Sequence, residues 1–113
     1  MTSRERLLCA LNHEEPDRIP IDFGGFQTGI HKDAYENLVK YLGIDDKTKI
    51  LDPVQQLAVP CEKVLKRFHV DTRYIGAHAP DNFSGSVVKV NREGKTWFDL
   101  KDEFGVVWSM PED

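Results

Sequence analysis

The residues from Thr2 to Gly25, TSRERLLCALNHEEPDRIPIDFGG, constrain the fold most, because they join a helix, an enforced stop and an apolar extended run. Thr2 and Glu5 have the spacing of a capping box, in which the threonine hydroxyl accepts a first-turn amide and the glutamate reaches back. The helix is therefore predicted to start at Ser3. Leu7, Leu8 and Leu11 recur at helical spacing and predict one apolar stripe, with Arg4, Glu5, Arg6 and Asn12 facing away from it. Pro16 forbids continuation of the helix. Ile19, Pro20, Ile21 and Phe23 then predict a short buried strand, with Pro20 excluding a position paired on both sides in mid-sheet. That run ends in Asp22 and Gly24-Gly25, and glycines let a ligand approach the backbone closely.

Downstream, GFQTG reads as loop, with Thr28 as a cap for a helix that begins near His31. Ile30, Ala34, Leu38 and Leu42 mark its inner face, Tyr35 and Tyr41 flank it, and Gly43 is placed to close it in the left-handed conformation. Lys49-Ile50-Leu51 predicts a short strand ending at Asp52-Pro53, since residues before proline are pushed extended. Val54 to Pro60 is read as a loop or a single helical turn. Pro60 opens the next helix, in which Cys61, Val64, Leu65 and Phe68 share a face and which is expected to end at His69. Val70 to Ile75 predicts a second strand, and residues 76–80, GAHAP, a loop. Helix followed by strand, twice, is an α/β pattern.

The last third changes character. Val87, Val88 and Val90 precede Asn91-Arg92-Glu93-Gly94, and Thr96, Trp97, Phe98 and Leu100 follow, which predicts strand, turn and strand. A second turn at Lys101 to Gly105 leads to Val106-Val107-Trp108, so the segment reads as a three-stranded antiparallel meander. Alternation puts Phe98 and Leu100 on the buried side and Trp97 with Asp99 on the other.

With 40% hydrophobic and 30% charged residues over 113 positions, the composition is that of one globular domain. A net charge of −4 with basic residues scattered among acids offers no surface for nucleic acid. No apolar run reaches the roughly 18 residues that a membrane helix needs, and the charged amino terminus is unlike a signal peptide, so a cytoplasmic setting is expected. Cys9 and Cys61 sit among apolar neighbours on expected helices and read as buried, inert thiols.

The segments SRERLLCALNHEEPDRIP, AYENLVKYLGI, LDPVQQLAVPCEKVLKRFHVDTRYIG and DEFGVVWSMPED follow one another in an order and spacing that resemble the opening of the uroporphyrinogen decarboxylase superfamily, in the branch that includes cobalamin-linked methyltransferases. The resemblance covers most of these residues and about the first third of a family-sized chain. It implies an α/β fold, the N-terminal third of a (β/α)8 TIM barrel with an antiparallel β meander after the second strand. Residues 1–80 would supply the helix-strand-helix-helix-strand part and residues 81–113 the meander. In such a barrel the chemistry lies at the carboxyl ends of the strands. Asp22 and His78 are accordingly the candidate catalytic residues, and Gly24, Gly25, Thr28 and His31 the candidate substrate-binding ones. His13 and His69 are read as helix-end residues.

The superfamily's decarboxylases carry an arginine-rich loop after the first strand and a catalytic aspartate shortly after the second. Here the first is FGGFQTGIH, without arginine, and His78 stands at the second. Arginine supplies the bidentate recognition that substrate carboxylates need. The expectation is therefore a methyl-transferring or otherwise divergent enzyme, with a genuine uroporphyrinogen decarboxylase of porphyrin biosynthesis as the alternative. In the methyltransferase branch a zinc ion lowers the pKa of a bound thiol, and its His and Cys ligands fall beyond Asp113. No cofactor or metal site is expected within these residues, zinc being left to the full-length parent. The partners implied are the remainder of that parent chain, a small-molecule or corrinoid-protein substrate, and a second copy in a homo-oligomer; the 113 residues alone would be inactive. A different class of reading is a self-contained binding or assembly module without chemistry.

Overall fold

The structure is a computed structural model, and it describes residues 1–78, 80–81, 83 and 85–112. The chain divides into two compact units, Met1–Ile75 and Gly76–Asp113. The architecture is mixed α/β, with a two-stranded and a three-stranded sheet, both antiparallel.

The first unit begins with α1, Ser3–Leu11, whose capping box forms as its sequence predicts. The Glu5 amide donates to Thr2 Oγ1 at 3.2 Å and the Thr2 amide to Glu5 Oε2 at 2.8 Å. The helix stops before Pro16, with Asn12 as C-cap and His13 in the left-handed region at φ 60°. Its buried side is not the predicted one. Leu8 and Leu11 are exposed and Leu7 is half-buried, whereas Arg6, expected to face water, is the residue that α1 buries. A charge outcompetes a leucine stripe there because its partners lie on the inner side.

In α2, Lys32–Tyr41, the Gly43 stop forms as expected. Gly43 has φ 64°, its amide donates to the Lys40 carbonyl, and the Ile44 amide reaches back to Val39, the bonding of a Schellman motif. The inner face is carried by Tyr35 and Val39, with Leu38 half-buried. Ala34 is exposed, and the two flanking tyrosines part company, Tyr35 at 0% exposure and Tyr41 at 87%.

β1, Ile50–Asp52, matches the expected short strand, and the ambiguous stretch after it resolves into a turn and a partner strand, β2, Leu57–Ala58. Asp52 makes that turn. Its Oδ1 accepts the Val54 amide at 2.8 Å and its Oδ2 the Gln55 side-chain amide at 2.8 Å, while Gln56 takes φ 54°. α3, Glu62–Arg67, follows Pro60 and buries Val64 and Leu65. It ends earlier than His69, which takes φ 53°, and Phe68 stays partly exposed. Tyr35, Val39, Ala58 and Val64 form the core, with Phe23, Ile30, Leu38, Ile44 and Cys61 packed against it.

The two strands predicted at Ile19–Phe23 and Val70–Ile75 form no ladder, and the first is not buried as predicted, since Ile19 and Ile21 are exposed. They do lie against each other. The Asp71 amide donates to the Ile21 carbonyl at 2.8 Å, and the Ile21 amide to Asp71 Oδ2 at 2.9 Å. A side-chain acceptor has replaced the next rung of backbone pairing, so the sheet does not propagate.

The second unit is the predicted meander of β3, Val87–Arg92, β4, Lys95–Lys101, and β5, Val107–Pro111, in the order β3-β4-β5. Arg92 pairs with Lys95 across a two-residue turn in which Glu93 and Gly94 have φ 52° and 76°, the mirror-image geometry that suits strand twist. Asp102 fixes the next turn, its carboxylate accepting the Phe104 and Val106 amides and the Trp108 indole N–H. Those donors hold it below the usual carboxylate range, the indole most. Phe98 and Leu100 are not fully buried, contrary to expectation; every residue from Thr96 to Leu100 is intermediate, because among the described residues of this unit no second layer covers either face. Ala79 of the expected loop and Asp113 lie outside the described residues.

Candidate functional site

The segment after Phe23 turns sharply because Gly24 adopts φ 101° and its amide donates to the Thr28 carbonyl at 3.0 Å. This closes residues 24–28 into a small loop whose lip is Asp22. Thr28 donates its hydroxyl to Asp22 Oδ2 at 2.9 Å, and Thr72, from the neighbouring extended segment, donates to Oδ1. Asp22 itself is exposed. The Thr28 hydroxyl also accepts the Gly25 amide at 3.4 Å, so Thr28 anchors both ends of the turn.

Gly25 is buried for a steric reason. A Cβ there would sit 3.1 Å from Tyr74 Cδ2 and 3.6 Å from Thr28 Oγ1. Tyr74 in turn meets Phe26 edge to face, with centroids 5.4 Å apart and planes at 89°. Gly29 is tighter still: a Cβ would lie 2.7 Å from Leu57 Cδ1 and 2.8 Å from the Gly25 carbonyl oxygen. Backbone cannot yield as a side-chain tip does, so Gly29→Ala is expected to cost about 1–3 kcal/mol of stability. Urea unfolding with circular dichroism checks this.

Of the residues singled out in the sequence, Asp22, Gly24, Gly25 and Thr28 form one constellation. His31 is the N-cap of α2, with Nδ1 accepting the Asp33 amide at 3.3 Å, and its backbone bridges to Leu57. It is a helix-starting residue here. His78 belongs to the second unit, where it is exposed and borders a hollow with Pro80, Phe83 and the Asp102 turn. A separate hollow of about 320 Å³ in the first unit is lined by Ile21, Asp22, Phe23, Leu38, Phe68 and Val70. Among the described residues no group of three or more His, Cys, Asp or Glu is placed to hold a metal ion. Nor is any helix among them long and apolar enough to cross a membrane.

The sequence reading missed Thr72 and Tyr74, which complete the Asp22 loop from far along the chain, and the charged clasp behind it. Arg6 donates Nε and Nη2 to the two oxygens of Asp17 at 2.6 and 2.8 Å, and Nη1 to Asp71 Oδ1 at 2.6 Å. Arg18 takes the other side of Asp71, at 2.7 and 3.0 Å, and also donates to the His69 carbonyl. The Asp71 side chain has 0% exposure. Burial pushes its pKa up, but Arg18, the Ile21 amide and Arg6 outweigh that and hold it well below the usual carboxylate range. The only signal in the sequence is two arginines and two aspartates in stretches otherwise read as helix, turn and strand.

The clasp pins the run leading to Asp22 against the run carrying Thr72, and this sets the position of the carboxylate. The arrangement presents one exposed carboxylate, oriented by two hydroxyl donors. Compared with known protein families, with curated proteins and with solved structures, the chain matches none.

Proposed function

We propose that this chain is the N-terminal part of a barrel enzyme of the uroporphyrinogen decarboxylase superfamily, a methyl-transferring or divergent member in which Asp22 faces the substrate. The observation that carries the reading is the relation between the two extended segments. Contacts advance in the same sense along both: Arg18 with His69 and Asp71, Ile21 with Asp71, and Asp22 with Thr72. Side-by-side segments of like direction, joined through helices, are what neighbouring barrel strands require, and Asp22 sits at the carboxyl end of the first, where barrel enzymes place their chemistry. The ordered sequence segments supply the family; no match to a known protein does.

Methyl transfer is favoured over uroporphyrinogen decarboxylation by the charge of the loop. Its residues, Gly24 to Gly29, include no cation, and Arg18, the arginine before it, is held by Asp71. A substrate bearing several carboxylates would meet Asp22 and no guanidinium from this loop. His78 remains a candidate in this reading, as a residue after the second barrel strand. Zinc, where present in the parent, would take its donors from elsewhere in that chain.

The test begins with the intact mass of the natural gene product. A chain of about 250 residues or more, long enough for a complete barrel, with further strand-helix units and a His/Cys donor set, is expected. That protein should then transfer methyl from a methylated corrinoid to a thiol, followed by the corrinoid absorbance. A natural product of only these residues that unfolds cooperatively as a monomer overturns the reading in favour of a binding or assembly module. Release of carbon dioxide from uroporphyrinogen by the long product overturns the methyl-transfer assignment.

A further inference from the structure

Residues 1–17 are tied first to one another. Arg6, from α1, grips both oxygens of Asp17 and donates Nη2 to the Met1 carbonyl at 2.9 Å, while the Glu14 amide returns to the Cys9 carbonyl at 3.0 Å. Helix and return arm thus form a hook closed by one guanidinium. Among the described residues, the bonds from this hook to the rest of the first unit converge on Asp71, from Arg6 Nη1 at 2.6 Å and from the Ser3 side chain.

Apolar burial adds little to that fastening. Arg6 is the residue that α1 buries, Leu8 and Leu11 stand 46% and 66% exposed, and Leu7, Cys9 and Ala10 are half-buried. By contrast, α2 puts Tyr35 and Val39 into the core. Segments with few buried apolar contacts open locally, at a smaller cost than the core they rest on.

The seat that the hook would leave also stays satisfied. Asp71 keeps both terminal nitrogens of Arg18 and the Ile21 amide when Arg6 departs, and Arg6 takes Asp17 with it. Release therefore strands neither a buried carboxylate nor a buried guanidinium, the penalty that normally keeps a buried ion pair shut. We infer that residues 1–17 are a latch, a segment that releases from Asp71 and re-engages while the remainder of the first unit stays folded. Because Asp71 also holds the Ile21 amide, one residue from Asp22, the latch closes beside the candidate site. It is independent of the reaction proposed above, and failure of methyl transfer would leave it standing.

A helix of nine residues is marginal on its own, so release is read as exchange of its amides. Hydrogen–deuterium exchange of the natural gene product is followed by mass spectrometry, in a series of urea concentrations below the unfolding transition. Peptides from α1 are expected to exchange faster than those from α2 by roughly tenfold or more. Their rate should rise only slightly with urea, since release exposes little surface, whereas the α2 rate should rise steeply. Arg6→Met should speed α1 exchange by about a further tenfold, because the bonds lost are charge-assisted, and leave α2 unchanged. Leu8→Gln and Leu11→Gln, which keep the helix propensity, should leave α1 within about twofold of the unaltered protein.

Equal rates and equal urea slopes for α1 and α2 overturn the inference. So do leucine substitutions that loosen α1 as much as Arg6→Met does, or a folded Arg6→Met protein in which α2 loosens in step with α1. Where Arg6→Met does not fold, the two urea slopes of the unaltered protein decide.

Discussion

Asp71→Ala is expected to lower the melting temperature of the first unit by roughly 10 °C or more. The reason lies in what is left behind. Asp71 accepts from Arg6, from both terminal nitrogens of Arg18 and from the Ile21 amide, and its side chain has no exposure. Removing it leaves the buried Arg6 guanidinium short of one partner and frees Arg18 and the Ile21 amide together. Breaking one side of a buried ion pair is far more damaging than the net worth of the pair, because the remaining charge stays desolvated.

The same clasp sets a pH dependence. The bidentate bond from Arg6 holds Asp17 well below the usual carboxylate range against the opposing effect of burial. In Asp71, burial is likewise opposed and outweighed by its donors. Both folded-state values are lowered, so the stabilisation is present above the ordinary aspartate value of about 3.9 and is lost as pH falls from there toward the folded values. The melting temperature of the unaltered chain should therefore drop steeply below about pH 4. That of Asp71→Ala should drop less steeply, since one of the two lowered carboxylates is gone. Differential scanning calorimetry between pH 7 and about pH 3 measures both. Equal slopes for the two proteins would mean that the acid response arises elsewhere.

The second large effect is expected at Tyr35. Its ring is the largest fully buried side chain among the described residues, and its hydroxyl donates to Asp46 Oδ2 at 2.6 Å while accepting the Cys61 amide at 2.9 Å. One side chain thus ties α2 to the turn before β1 and to the start of α3. Tyr35→Phe keeps the ring but strands the Cys61 amide and one oxygen of Asp46, at a cost of about 1–3 kcal/mol. Tyr35→Ala adds a cavity and should cost about 3–5 kcal/mol. Burial, then the bond to Asp46, raises the phenol above its usual range. A raised folded value contributes stability below the ordinary tyrosine value of about 10 and loses it as pH rises further, so alkaline unfolding should be later in Tyr35→Phe relative to its own neutral stability. Urea melts at neutral and alkaline pH give both quantities.

Local features were legible in the sequence wherever a few neighbouring residues decide the outcome. The Thr2/Glu5 box, the Gly43 stop, the opening of α3 after Pro60 and the Glu93-Gly94 turn all depend on backbone groups within one turn of chain. What failed were inferences that needed to know the other side of a contact. Arg6 looks like a surface residue until Asp17 and Asp71 are placed beside it. The runs at Ile19 and Val70 look like strands and lie against each other, but the Asp71 carboxylate takes the Ile21 amide that a ladder would have used. Of the candidate site, Asp22, the glycines and Thr28 were found because they are contiguous. Thr72 and Tyr74 were not, since nothing in the residues around them announces a partner some fifty positions earlier.

Arg6 and Asp71 are 65 positions apart, whereas every strand pairing of the meander joins neighbours through a turn of a few residues. Closing a loop costs entropy that grows with the logarithm of its length, and contacts local in sequence form early. The two halves of this chain therefore follow different clocks. The meander can zip from its turns as soon as its own residues are available, while the first helix holds only the Asp17 half of its clasp until the chain has been made as far as Asp71, near the end of its unit.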